Sequence, residues 1–311
     1  MTTAAQRIDK LVILGVGLIG GSFALAQKAA GATGTIVGVG RERINLEEAV
    51  NLGIIDRLIP LSGNWTNELA TTDIVLLAAP VAQYPALFRT MAPHLGPHTI
   101  VTDAGSTKQD VVAAARAALG AALPRFVPAH PVAGTEQSGA AAAFSTLFAD
   151  RNVVLTPLPE TDPLALATVA AAWQTCGARI RTLNAAVHDR IFAAVSHLPH
   201  LLAFALVDEL AARPDAEELF RFAASGFRDF ARIAASSPEV WRDISLANRD
   251  ALLAEIAAFR GQLDRLAALL TAGDGAGLEA VFAAARTARR SWDSRRNAAP
   301  GRAPEDGPRE P

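Results

Sequence analysis

Leu11-Val-Ile-Leu-Gly15-Val-Gly17-Leu-Ile-Gly20-Gly-Ser22 is a short β-branched apolar run that ends in three spaced glycines and leads into the Ala-rich segment Phe23 to Ala30. That order predicts strand, glycine turn and helix. Gly15 permits the tight turn, Gly17 lets the backbone approach a pyrophosphate, and Gly20 lets the helix pack closely on the strand. The phosphates of a dinucleotide then rest on the helix N-terminus, at Leu18 and Ile19, where backbone N–H groups and the helix dipole favour an anion. Three glycines alone would suit a purely structural turn equally well, and it is the flanking strand and helix that give them meaning.

Composition sets the surrounding limits. At 311 residues, 50% of them apolar and 19% charged, the chain can build a core in each of two domains. A formal net charge of −2 argues against a nucleic-acid partner. The single cysteine, Cys176, excludes an intramolecular disulfide framework and reads as a small hydrophobe within a helix. No residues are assigned to a metal. The apolar stretch Ile74 to Phe88 is interrupted by Pro80 and Pro85 and is too short to span a bilayer, and Met1 to Lys10 lacks the apolar core of a secretory signal. No membrane association is expected, and a cytoplasmic location is.

Short β-type runs alternate with helical ones as far as Ala185. They are Leu11 to Leu14, Thr35 to Val39, Ile74 to Ala79, Thr99 to Thr102, Asn152 to Thr156 and Arg179 to Leu183. Such alternation predicts an α/β, Rossmann-type domain with a mostly parallel sheet over residues 1–185. Beyond it, His188 to Arg213, Glu239 to Ala272 and Ala276 to Trp292 read as long helices, giving an all-helical domain over 186–292. Long helices in so small a domain expose wide apolar faces, so a homodimer is expected. Residues 293–311, rich in Pro, Gly, Arg and Glu, read as a disordered tail.

About twenty residues past the glycines, an NAD-preferring fold places an Asp or Glu on the ribose 2′-hydroxyl. Here the sequence is Val39-Gly40-Arg41-Glu42-Arg43. Gly40 stands in the acid's place, and Arg41, with Arg43 nearby, suits the 2′-phosphate of NADP in a fork geometry. Glu42 leaves NAD open, because a register shift of two would return it to the acidic position. A solvated charge cluster on a surface turn also fits.

Two further loops follow candidate strands: Asp103-Ala-Gly-Ser106-Thr-Lys108 and His130-Pro-Val-Ala-Gly-Thr-Glu136. Loops at the carboxyl ends of strands face the ligand crevice of an open α/β sheet, so Ser106 and His130 are candidates to reach a bound nicotinamide. A histidine there suits a proton acceptor, and Ser106 taken alone suits a helix N-cap.

With those two loops and the glycine stretch, Ser196-His197-Leu-Pro-His200 and Gly226-Phe-Arg-Asp-Phe-Ala-Arg232-Ile-Ala234 followed by Trp241-Arg-Asp243 complete a pattern that resembles the prephenate and arogenate dehydrogenases of tyrosine biosynthesis. The resemblance runs from about Leu11 to Trp292. It implies oxidation of a cyclohexadienol carbon by hydride transfer to NAD(P)⁺, with loss of carbon dioxide and aromatisation making the step effectively irreversible. By the same resemblance His130 accepts the 4-hydroxyl proton and Ser106 sits between it and the nicotinamide. Arg232 anchors a substrate carboxylate as a bidentate partner, although an Asp229 to Arg232 surface pair would also account for it. His200 is implied in substrate binding, and His197 in contact or packing support, with Pro199 between them expected to bend the helix. Glu136 closes the His130 loop near the substrate's charged tail, which leaves prephenate against arogenate open.

Little chain flanks Leu11 and Trp292, so the appended tyrosine-binding domain or fused mutase of some relatives is not expected. Tyrosine inhibition, if present, is expected to act in the active site. Another two-domain hydroxyacid dehydrogenase is the competing enzyme reading, though His188 to Arg213 lacks the lysine that class needs. A catalytically silent nucleotide sensor is the non-enzymatic alternative.

Overall fold

The structure is a computed structural model that describes residues 7–297. The first strand, β1 (Ile8–Leu14), is buried on both faces along its apolar end, as a central strand covered by helices must be. Leu11 and Ile13 face one hydrophobic core, and Val12 and Leu14 face the other. The chain continues through α1 (Leu18–Ala29), β2 (Thr33–Gly40), α2 (Arg43–Asn51), β3 (Arg57–Pro60), β4 (Ile74–Leu77), α3 (Tyr84–Met91), β5 (Ile100–Asp103), α4 (Gln109–Ala118) and β6 (Phe126–Val127). These six strands form one sheet in the order β3-β2-β1-β4-β5-β6, with every neighbouring pair parallel. The order reverses between β1 and β4, which is where an open α/β sheet opens its ligand crevice.

A second, three-stranded sheet holds β7 (Ala129–Pro131), β8 (Asn152–Leu155) and β9 (Arg179–Thr182), with α5 (Pro163–Thr175) between β8 and β9. β7 runs antiparallel to β8 and β9 parallel to it. Pro128, which has no N–H to give a ladder, separates β6 from β7 and passes the chain from one sheet to the other. β3 escapes the alternating pattern because it is a short edge strand, paired only with β2.

After β9 the described chain is helical. α6 (Ala185–Phe192) passes through a π-helical turn, Ala193–His197, into α7 (Leu198–Ala211). The wider turn just before Pro199 relieves the clash its ring would make with the carbonyl of Val195. The 27-residue stretch Ala185–Ala211 is long and apolar enough to cross a membrane by length and composition, and so exceeds the Ile74 to Phe88 stretch considered above. Its buried side nevertheless carries His188, Asp189 and His197. Two short helices, α8 (Ala216–Arg221) and α9 (Ser225–Ala231), follow.

The single helix expected over Glu239 to Ala272 is two, α10 (Pro238–Ala247) and α11 (Arg249–Thr271), broken at Asn248. α12 (Gly275–Asn297) runs past Asp293, where the tail was expected to begin, with an Arg289–Asp293 ion pair one turn apart on its surface. The rest of the expected tail, 298–311, lies outside the described residues. One compact unit ends at Leu252 and a second begins at Leu253. Asp189 of α6 accepts the Lys108 and Gln109 N–H groups at the start of α4, which ties the first post-sheet helix to the sheet domain.

Candidate active site

A cleft of about 330 Å³ opens at the β1/β4 switch point, lined among others by Gly15, Gly17, Arg41, Pro80, Gly139 and Glu239. Each glycine of the turn has its own cause. Gly15 sits at φ +103°, and a Cβ there would lie 2.6 Å from the Ala78 carbonyl carbon. On Gly20 a Cβ would come within 2.2 Å of the Gly15 oxygen. On Gly17 it would meet nothing within 4 Å. The open side at Gly17 adjoins the first turn of α1, where the N–H groups of Leu18, Ile19 and Gly20 precede the first intrahelical donor, Gly21 to Gly17 at 2.8 Å. Room beside unsatisfied donors fits a pyrophosphate, so these residues suit a dinucleotide.

The adenosine end divides the two arginines. Arg41 lines the cleft but is held by Glu239, with Nη1 to Oε1 at 3.0 Å and Nη2 to Oε2 at 3.2 Å. Arg43 is not brought there; it forms an exposed pair with Glu47 at 2.7 Å, one turn along α2. Asn45, absent from the sequence reading, braces the rim: its Nδ2 donates to the Val16 carbonyl at 2.7 Å and its Oδ1 accepts from the Ala140 N–H at 2.9 Å.

His130 lies on β7 and is 7% exposed. Burial, then the neighbouring His188, Lys108 and His197, push its pKa well below the ordinary histidine range, so the ring is neutral at pH 7. Its Nδ1 is 2.8 Å from His188 Nε2, and His188 Nδ1 is 2.8 Å from Asp189 Oδ1. Asp189 also takes the backbone N–H groups of Lys108 and Gln109, each at 2.8 Å. Burial would raise this carboxyl, but His188 and those two donors outweigh it and hold the pKa below its ordinary value. Neither His188 nor Asp189 stood out in the sequence, since His-Asp on a helix is unremarkable until the fold sets it against β7.

The Ser106 loop is pinned from below. Lys108 and Asp103, both fully buried, form an ion pair, and Lys108 Nζ also donates to the Ala129 carbonyl at 2.8 Å. Asp103 further accepts the N–H groups of Gly105 at 2.8 Å and Ala129 at 3.0 Å, which links this loop directly to the strand bearing His130. Lys108 is therefore an internal strut. Ser106 is half-buried, and no hydrogen bond joins its hydroxyl to His130 among the described residues. Nor does it cap α4, because Asp189 occupies the N–H groups there.

The other candidates cluster on the helical side. Asn248 Nδ2 donates to the Asp189 carbonyl at 2.8 Å and to His197 Nδ1 at 3.1 Å. That leaves His197 Nε2 as the protonated nitrogen, buried without a hydrogen-bond partner, although the nearby Ser106 backbone favours the charged ring. Burial pushes the His197 pKa down to about 4. His200 stacks on Trp241 with centroids 3.5 Å apart and bonds the Ser196 carbonyl through Nδ1 at 2.9 Å. Arg232 pairs with Glu136 at 3.1 Å, across 96 positions of sequence, rather than with Asp229.

A dinucleotide cleft at the switch point, a neutral buried histidine on β7 and a helical second half define a nicotinamide-dependent dehydrogenase. The family is narrower than that class. Residues 23–182 match the family model described as "Prephenate dehydrogenase, nucleotide-binding domain", and residues 184–284 match "Prephenate dehydrogenase, dimerization domain". The chain is 35% identical over 269 residues to a cyclohexadienyl dehydrogenase of Zymomonas mobilis, covering 85% of this chain and 89% of that one. It is 35% identical over 287 residues to a prephenate dehydrogenase of Bacillus subtilis, covering 90% and 75%. Among solved structures, prephenate dehydrogenase from A. aeolicus in complex with hydroxyphenyl propionate and NAD⁺ superposes with a TM-score of 0.84 at 34% identity, covering 94% of this chain and 99% of that one. This chain belongs to the prephenate dehydrogenase family.

Proposed function

We propose that the chain oxidatively decarboxylates prephenate, arogenate or both, in tyrosine biosynthesis. The observation that carries this reading is His130: a neutral, desolvated base on the strand tied through Asp103 to the Ser106 loop. The bound nicotinamide supplies the hydride acceptor. The chain's own groups do the rest: His130 takes the 4-hydroxyl proton, and Arg232 holds a carboxylate of the substrate. His197 offers a buried N–H to a substrate oxygen, and His200, stacked on Trp241, serves as a further substrate-binding group. The leaving carbon dioxide needs no acid, because aromatisation drives its loss. Glu136, paired with Arg232, suits the ammonium group of arogenate or simply screens the arginine when prephenate binds.

Gly40 and Arg41 support NADP as the preferred cofactor. A second reading, NAD, is favoured by Glu239, which occupies Arg41, and by Glu42 at the cleft wall. A homodimer is supported by the dimerization-domain match and by exposed apolar side chains such as Leu263, Leu270 and Phe282 on α11 and α12. Tyrosine acting in the active site, and a cytoplasmic location, go with the same reading. The test is turnover of purified protein with prephenate or arogenate, each with NAD⁺ or NADP⁺, followed by reduced nicotinamide absorbance. Silence in all four pairings from folded, cofactor-bound protein sinks it.

A further inference from the structure

The mechanism leaves two buried titratable groups unused. His188 is fully buried and Asp189 is 1% exposed, and both sit directly behind His130. Donors and acceptors along this line are determined from its far end. Asp189, ionised, can only accept, and besides two backbone N–H groups it faces His188 Nδ1. His188 therefore carries its proton on Nδ1 and presents a lone pair at Nε2. Opposite that lone pair, at 2.8 Å, lies His130 Nδ1, which must be the donor. The Nε2 nitrogen of His130 is then the one without a proton. Phe192 stands edge-on to the His130 ring at 4.6 Å between centroids and lies tilted against His188 at 4.5 Å, so the two imidazoles are clamped as well as bonded.

We propose that His188 and Asp189 are positioning residues for the reaction, holding His130 in the Nδ1–H tautomer so that its Nε2 is free to take the substrate's hydroxyl proton. This deepens the dehydrogenase reading and rests on it for its kinetic consequence. When Nε2 takes the proton, the imidazolium keeps its Nδ1–H donated to His188, whose own Nδ1–H is held by the Asp189 carboxylate. The positive charge formed at His130 is thereby faced by a chain ending in an anion, which counters the nearby Lys108. No further proton has to move. Asp189 has a second task, since its oxygens accept the first N–H groups of α4, and that helix follows the Ser106 loop.

Nitrogen-15 NMR of histidine-labelled, full-length protein tests the assignment directly. The chain has six histidines, and His130→Ala identifies the signals of interest. In the wild type near pH 8, His130 is expected as the neutral Nδ1–H form; an Nε2–H form would overturn the proposal, whether or not the protein turns over either substrate. His188→Phe, which keeps the bulk and removes the acceptor, is expected to retain cofactor binding, to lose the Nδ1–H preference, and to lower kcat by roughly 10²–10⁴-fold. His188→Gln, whose amide oxygen can accept from His130 Nδ1–H, is expected to restore part of both. A His188→Phe variant with unchanged kcat, or one whose kcat falls while His130 stays Nδ1–H, would refute the positioning role. Should that variant not fold, the wild-type spectrum and His188→Gln still decide. An inactive wild type with the expected tautomer would instead count against the dehydrogenase reading alone.

Discussion

Arg41 and Glu239 meet through two parallel hydrogen bonds, 3.0 and 3.2 Å long, joining the end of β2 to the start of α10 at the lip of the nucleotide cleft. The pair sets the charge that a ribose 2′-substituent would meet. Glu239→Gln frees Arg41 and removes an anion that would repel a 2′-phosphate. Both side chains are about half exposed, so solvent screens the pair and the effect is modest. We expect about a three- to tenfold fall in the Kd for NADP⁺, with that for NAD⁺ little changed, as read by fluorescence titration. Equal shifts for both cofactors would show that Glu239 does not discriminate between them.

Gly17 and Gly20 separate binding from folding. Gly17→Ala places its methyl in open space, so the protein should unfold at the wild-type temperature yet bind dinucleotide more weakly. Gly20→Ala drives a methyl into the Gly15 carbonyl and should destabilise the fold itself. Thermal unfolding with and without cofactor distinguishes the two, and a Gly17→Ala variant with wild-type affinity would move the pyrophosphate away from α1.

Lys108 and Asp103 are both wholly buried, so removing one partner strands the other. Lys108→Met should cost about 3–5 kcal/mol in urea unfolding. Adding Asp103→Leu should recover only part of that, because the Gly105 and Ala129 N–H groups lose their acceptor.

Activity should be insensitive to mild acid. Burial holds His130 well below the ordinary histidine pKa of about 6.5, and the ring must be neutral to accept a proton. The kcat/KM profile should therefore stay level as pH falls through 6.5 and drop only at distinctly lower pH. A midpoint at 6.5 or above would mean that His130 is more hydrated than its position on β7 implies.

Stability should have the opposite sensitivity. The folded-state pKa of His197 is pushed down to about 4 by burial, and His130, His188 and His200 are lowered too. Between about 6.5 and 4 the unfolded chain binds protons that the folded one refuses, so stability is full above 6.5 and falls as pH drops through that window. For His197 alone the loss is about 3 kcal/mol. Urea unfolding at pH 7 and pH 4.5 should show the decline, with a shallower slope in His197→Asn; a slope unaltered by that substitution would assign the effect elsewhere.

The nucleotide half of the chain was legible in its letters because its signals are local. A continuous apolar strand, a glycine turn and an apolar helix follow one another within about twenty residues, and each glycine answers to atoms of neighbouring elements. His130, Ser106, Arg232 and Glu136 were legible as motifs. What they touch was not, since partners 58 to 96 positions apart are brought together only by packing. Tertiary structure alone decided that Arg41 belongs to Glu239 and Arg43 to Glu47, and that the start of α4 is capped by Asp189 rather than by Ser106. It also decided that a lysine beside Ser106 is a buried strut. Backbone periodicity is written residue by residue, whereas the pairing of charges and the choice of a histidine's protonated nitrogen depend on which polar groups are shut away from water together.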